Sequence, residues 1–314
     1  DDAVESVYQA EPLSMIRPVV VGAAAAKSRL TWGLRKLRVE WFWKQGLTGA
    51  GVRVGHLDTG VDGRHIALRT RVVSWAEFGP FGDEVPNSDP WDSDDHGTHV
   101  AGTICGGKVG GMSIGVAPDA ELCAAMVIEG GNALLRVLAG MEWALAQQVR
   151  ILNMSLGFRG FSPFFEDVVR RLRERNVLPV FAIGNEGAGT SRSPGNYPEA
   201  LSVGMTDRGN LVDPDSSSIT FNRPLEPSQP NIVAPGVSVV SARPGGGVQS
   251  MTGTSMATPH VAGVAALLLQ AKPQATAVDV EQAIQSTCTL LTGQLPVRYG
   301  FGLINPRAAL EALV

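Results

Sequence analysis

Cysteine is scarce in this chain: there are three, Cys105, Cys123 and Cys288, and they lie far apart. That excludes a disulfide framework, and no C-x-x-C pair offers a metal or redox site. The thiols read as small buried hydrophobes. Long apolar runs are missing too. None reaches the roughly 18 residues of a membrane span, so no membrane partner is expected. Charge bias is equally slight. A net charge of −4 over 314 residues gives no electrostatic reason to expect nucleic acid or an anionic surface as partner. The basic run "RLRER" (171–175) is short, contains Glu174, and reads as a solvated helix face. Repeats and low-complexity tracts are absent, and the opening "DDAVESVYQA" has no signal-peptide pattern. A signal could have been removed or never have existed, so the compartment stays open. A monomer is expected.

Apolar residues are plentiful, at 44% of the chain, enough for a large core in one or two units. Short apolar runs alternate with helical patterns. "VRVGHLD" (52–58), "ELCAAMVI" (121–128), "VRILNMSLG" (149–157), "NVLPVFAIGN" (176–185) and "EALSVGMT" (199–206) read as buried parallel strands. Helices are expected over 96–105, 133–148 and 164–176. The alternation predicts an α/β fold, a doubly wound and mostly parallel twisted sheet with helices on both faces. In such sheets reactive groups collect beyond the carboxyl ends of the strands, where Asp58, Ser155 and Asn185 fall. The stretch 213–231 reads as a long polar, Pro-rich loop.

In "HLDTG" (56–60), Asp58 has three readings: a turn cap, half of an aspartic-protease pair, or the orienting partner of a histidine. The second needs another such loop to share the proton, and there is none. Only five histidines exist, His56, His65, His96, His99 and His260. His96 and His99 in "DDHGTHVAGT" lack the i, i+4 spacing and intervening Glu of a zinc protease. His96 at a helix start, with Gly97 allowing close approach, suits an exposed imidazole above the sheet, and His99 a core position. In "GTSMATPHVAG" (253–263), Ser255 opens a buried helix, where backbone donors and the positive dipole end favour negative charge. Pro259 in the first turns denies Ser255 its usual helical hydrogen bond. A simple N-cap is the ordinary role for serine there. A nucleophile better explains Gly253 beside it and the small residues after it.

Together these stretches resemble the three signature blocks of the subtilisin-like serine proteases, in the order Asp, His, Ser. "NMSLG" (153–157) and "AIGNEG" (182–187) match two further segments, and the similarity runs over about residues 32–310. The resemblance implies a serine endopeptidase working through Asp58, His96 and Ser255, with Asn185 and the Ser255 N–H holding the oxyanion. It implies that Ser155, Leu156 and Gly157 pair with a peptide or protein substrate as an added strand. Ala182 and Gly184 would leave room for a side chain in the primary pocket, and Met256 would flank the nucleophile. A dedicated processing protease and a catalytically silent peptide-binding protein are the alternatives.

The sequence departs from that family in three places. Ala67 and Val109 stand where a tight calcium site usually has Asp and Asn donors, so no metal is required and such a site is doubtful. Arg192 aligns near the floor of the primary pocket, where it faces an acidic substrate side chain, pairs with Glu186 or turns to solvent. Residues 1–30 precede the catalytic domain of 31–314 and are too few for the usual folded pro-domain. There "MIRPVV" (15–20) resembles the short inhibitory extension of intracellular members, whose proline lies near the scissile position. The alternative is a linker.

Overall fold

The computed structural model of the chain describes residues 13–24, 28–128, 133–224 and 226–313. The first part of the expected N-terminal extension, residues 1–12, therefore lies outside the described residues, as do residues 25–27. Two strands precede the catalytic part, β1 (Ser14–Met15) and β2 (Val19–Ala24). β3 (Arg53–Asp58) and β4 (Val72–Glu77) follow, then helix α1 (His96–Cys105) and β5 (Glu121–Met126). Helix α2 (Leu134–Ala146) leads to β6 (Ile151–Met154), with β7 (Leu156–Arg159) directly after it. Helix α3 (Glu166–Glu174) precedes β8 (Leu178–Ala182) and β9 (Leu201–Thr206). β10 (Ile232–Pro235), β11 (Val239–Ala242), β12 (Val248–Thr252) and α4 (Thr254–Ala271) complete the elements around the site.

Seven strands form one parallel sheet in the order β10-β9-β8-β6-β3-β5-β4. Successive strand residues point to opposite faces, and here each face feeds a different core. Ile151 and Val180 join the core that contains α1 and α4, while Leu152 and Phe181 join the core under α2 and α3. That two-sided burial is why these strands read as continuous apolar runs. The edge strand β4 is only partly buried, so its sequence gave no such run. The loop at 213–231 is less irregular than expected, since Ile219–Thr220 pairs antiparallel with Ser228–Gln229.

The charged run at 171–175 also differs from a plainly solvated face. Arg173 is half-buried and pairs with Glu281 at 2.6 Å. Cys105 and Cys123 are buried and Cys288 is half-buried, all as free thiols. His99 is buried against the Val239 carbonyl at 3.0 Å, and burial pushes its pKa down to about 3.

β3 is the switch point of the sheet, because β4 and β5 lie on one side of it and β6 on the other. A crevice opens beyond the strand ends at such a point, and Asp58 ends β3. Helix α4 packs across β6, β8, β9 and β10 and against α1. This brings the starts of α1 and α4 to the same edge as Asp58.

Candidate active site

Asp58 is buried, and its Oδ1 accepts hydrogen bonds from His96 Nδ1 at 2.6 Å and from the Thr59 N–H at 2.8 Å. Burial opposes both charges. The pair nevertheless favours ionisation, with the Asp58 carboxyl held below and the His96 imidazole above their ordinary ranges by mutual attraction. Engaging Nδ1 in this way leaves Nε2 as the atom that can exchange a proton with a nucleophile. The turn carrying His96 needs close contact with β3. A Cβ on Gly97 would lie 2.0 Å from the Gly60 carbonyl oxygen, so only glycine fits there.

Sequence reasoning missed Asp92. Its Oδ1 accepts from Thr59 Oγ1 at 2.7 Å, and its Oδ2 accepts from Thr98 N at 2.7 Å and Thr98 Oγ1 at 2.6 Å. Thr59 Oγ1 accepts in turn from the Gly97 N–H at 2.9 Å. The carboxylate thus ties the end of β3 to the first turn of α1 and fixes the Asp58–His96 geometry. The only signal was an acidic residue shortly before "DDHG", which resembles any polar turn.

Helix α4 starts at Thr254, one residue before Ser255, and runs through Pro259. The hydroxyl of Ser155 approaches the Ser255 carbonyl, for which Pro259 has no N–H, at 3.4 Å. Asn185 closes the start of the helix. Its Oδ1 accepts from the Thr254 N–H at 2.8 Å and from Thr254 Oγ1 at 2.9 Å. With the oxygen committed to two donors, the amide nitrogen must face the cleft. Ser255 is therefore no N-cap but a side chain on the first turn, beside an outward-facing amide donor. A Cβ on Gly253 would come within 3.0 Å of Asn185 Nδ2 and 3.1 Å of Ser255 Oγ and so crowd both groups.

The N-terminal segment lies across this site. Ser14 and Met15 pair antiparallel with Gly157 and Leu156 of β7, and the Ile16 N–H donates to the Ser155 carbonyl at 3.1 Å. Ser255 Oγ donates to the Ile16 carbonyl at 3.2 Å, and Asn185 Nδ2 donates to the Arg17 carbonyl at 3.1 Å. His96, expected to be exposed, is instead fully buried, and its Nε2 has no hydrogen-bond partner among the described residues. Arg17 reaches Asp94 at 3.5 Å. Beyond Pro18, β2 pairs antiparallel with β12.

The remaining expected substrate contacts surround this segment. Ala182 ends β8 and is buried, and Gly184 has a positive φ of 122°. Met256 is fully buried, with its sulfur 3.7 Å from Ser255 Oγ. Arg192 is not a surface residue, being 3% exposed. Its Nε donates to Glu186 Oε1 at 2.9 Å, and its Nη1 donates to the Gly157 carbonyl at 2.9 Å and to Ser14 Oγ at 2.8 Å. Although partial burial opposes it, the guanidinium holds the Glu186 carboxyl below its ordinary range.

The Ala67 side chain is in the core and its carbonyl accepts from the Gly107 N–H at 2.9 Å. The segment carrying Val109 folds as a hairpin, Lys108–Val109 with Met112–Ser113. No group of three or more His, Cys, Asp or Glu is arranged to hold a metal among the described residues. No helix among them is long and apolar enough to cross a membrane.

The chain is similar to known proteins over most of its length. The model of the subtilase family matches residues 49–302. Subtilisin Savinase of Lederbergia lenta is 40% identical over 280 residues, covering 88% of this chain and 97% of the relative. M-protease of Shouchella clausii is 40% identical, covering 88% of this chain and 69% of the relative. Subtilisin E of Bacillus subtilis is 36% identical, covering 89% and 71%.

Proposed function

Because the chain belongs to the subtilase family and is a serine endopeptidase, we infer that it cleaves peptide bonds through Asp58, His96 and Ser255. His96 Nε2 takes the Ser255 proton as Oγ bonds to the substrate carbonyl carbon. The carbonyl electrons move to oxygen, which accepts from Asn185 Nδ2 and the Ser255 N–H. Collapse breaks the C–N bond, His96 protonates the leaving amine, and water releases the acyl group by the same steps. Asp58 keeps the proton on Nδ1 and stabilises the imidazolium. One observation carries this reading: Ser255 Oγ and Asn185 Nδ2 each hydrogen-bond a carbonyl of one extended peptide segment.

The same observation supports an inhibitory role for that segment. Catalysis requires the nucleophile and the oxyanion donor to address one carbonyl. Here they address consecutive carbonyls, Ile16 for Ser255 and Arg17 for Asn185. The two halves of the bound chain are one residue out of step. Pro18 lends the Arg17–Pro18 bond no N–H to guide into place. With its hydrogen directed at Ile16, the Ser255 hydroxyl is not shared with His96. The segment therefore occupies the cleft as a bound peptide that is not cut.

A fluorophosphonate probe tests the catalytic reading. It is expected to label Ser255 in the intact chain slowly, and no label in Ser255→Ala. Absence of label in the parent chain, even after the segment is removed, would leave a peptide-binding protein without catalysis.

A further inference from the structure

Catalysis through Asp58, His96 and Ser255 leaves a second buried histidine of this region without a role. His56 lies two residues before Asp58 on β3 and is fully buried. Side chains alternate along a strand. His56 and Asp58 therefore share a face with Val54, which joins the core beside α1, while Leu57 points into the opposite core. His56 Nε2 lies 3.0 Å from the Gly97 carbonyl oxygen. A carbonyl only accepts, so Nε2 carries the proton and donates it. Burial lowers the His56 pKa against the opposing pull of Asp58 and keeps the ring neutral. It therefore grips α1 without competing with His96 for the Asp58 charge.

Gly97 is the place where such a grip matters. The Gly60 carbonyl excludes a Cβ at that position, and glycine has the widest main-chain freedom of any residue. The residue that follows the catalytic base would thus be the loosest of its turn. Two side chains remove that freedom. Thr59 Oγ1 accepts from the Gly97 N–H at 2.9 Å, and His56 donates to the Gly97 carbonyl at 3.0 Å. The two peptide planes that meet at Gly97 are held, one by each. Packing does not explain a histidine here. In register it stands beside Ala124 of β5 and Asn153 of β6, and its Nδ1 has no hydrogen-bond partner among the described residues. A leucine would fill similar space without burying a bare nitrogen.

We propose that His56 is a positioning residue for the catalytic histidine: its Nε2–H fixes the Gly97 carbonyl, and with it the first turn of α1, which carries His96 over Asp58. This rests on the endopeptidase reading above. Being fully buried, His56 cannot touch substrate. It acts on turnover through geometry alone, and what the position requires is a donor at the reach of Nε2.

Three substitutions in the full chain test it. His56→Gln puts an amide N–H close to the place of Nε2, His56→Asn keeps the polarity on a shorter stem, and His56→Leu keeps only the bulk. With a peptide substrate, His56→Leu and His56→Asn are expected to lower kcat about tenfold at unchanged KM, the mark of a misplaced catalytic group. His56→Gln should recover most of that loss. Equal rates for the Gln and Asn proteins, or a kcat that simply tracks Tm across the three, would overturn the proposal. The Gln and Asn pair decides it even if the Leu protein does not fold.

A second measurement needs no turnover. The proton between His96 Nδ1 and Asp58 is read by NMR as a low-field resonance, identified by its loss in His96→Ala. It should persist in His56→Gln and be shifted or broadened by exchange in His56→Asn. An identical resonance in both would mean that His56 does not hold His96. A parent chain that shows the resonance and cleaves no peptide would refute the endopeptidase reading, and the resonance alone would then decide the positioning role.

Discussion

Ile16→Ala isolates the contribution of the N-terminal segment to control of the site. Ile16 is 1% exposed, and its N–H and carbonyl are bonded to Ser155 and Ser255. The substitution keeps both main-chain bonds and removes only apolar packing. Large-to-small changes of this type cost about 2–5 kcal/mol in a core. At a cleft that water can refill, the lower figure of about 2 kcal/mol applies, which is a factor of about 30 in the ratio of occupied to open site. Substrate and segment compete for one place, so the apparent affinity for substrate scales with the open fraction. With the parent mostly occupied, KM should fall by about 10–30-fold in Ile16→Ala while kcat stays unchanged. The assay is initial-rate kinetics on a chromogenic peptide, with mass spectrometry confirming that the N-terminal residues are intact in both proteins. An unchanged KM would mean that the segment does not compete with substrate. A change confined to kcat would mean that Ile16 acts on the chemistry rather than on occupancy.

The remaining expectations concern the charges. Asp58 raises the His96 pKa and only neutral His96 can take the proton, so activity should be lost as pH falls through a midpoint above 6.5. An acid limb centred below 6 in a kcat/KM profile would contradict the assignment of His96 as base. With Arg192 neutralised by Glu186, peptides bearing Leu before the scissile bond should outperform matched peptides bearing Glu. Arg192→Ala, which leaves a half-buried carboxylate uncompensated, should shift preference toward Lys and lower stability by about 1–3 kcal/mol, discounted for the exposure of Glu186. A parent enzyme that prefers Glu would refute the neutral wall. Chelation should leave activity and Tm nearly unchanged, since Ala67 and Val109 offer no side-chain oxygen. A fall in Tm with EDTA that calcium restores would locate other ligands. Asp92→Ala should cost at least tenfold in kcat with little change in KM, because it loosens the His96 turn without touching substrate. A change in KM alone would place Asp92 in binding instead.

Some of this was legible in the chain itself. Strands such as Leu178–Ala182, buried on both faces, must be apolar throughout, so the parallel sheet is written in uninterrupted runs. The reactive stretches were legible because chemistry restricts their residue types. Gly97 sits where a Cβ would collide with the Gly60 carbonyl and Gly253 where one would crowd the Asn185 amide, and Asp58, His96 and Ser255 each occur within such a restricted neighbourhood.

Other features depended on contacts between residues far apart in sequence, which leave no local pattern. Asp92 acts through Thr59 and Thr98 on two different elements. Arg192 could face solvent or substrate until β7 and Glu186 closed around it. The segment "MIRPVV" was consistent with either an inhibitor or a linker. Register places it across the candidate site, because strand pairing with β7 before the site and β12 after it sets consecutive carbonyls of Ile16 and Arg17 at Ser255 and Asn185. Strand register is set by partners more than two hundred residues away along the chain, as Val19 and Thr252 are, and so only the folded molecule determines it.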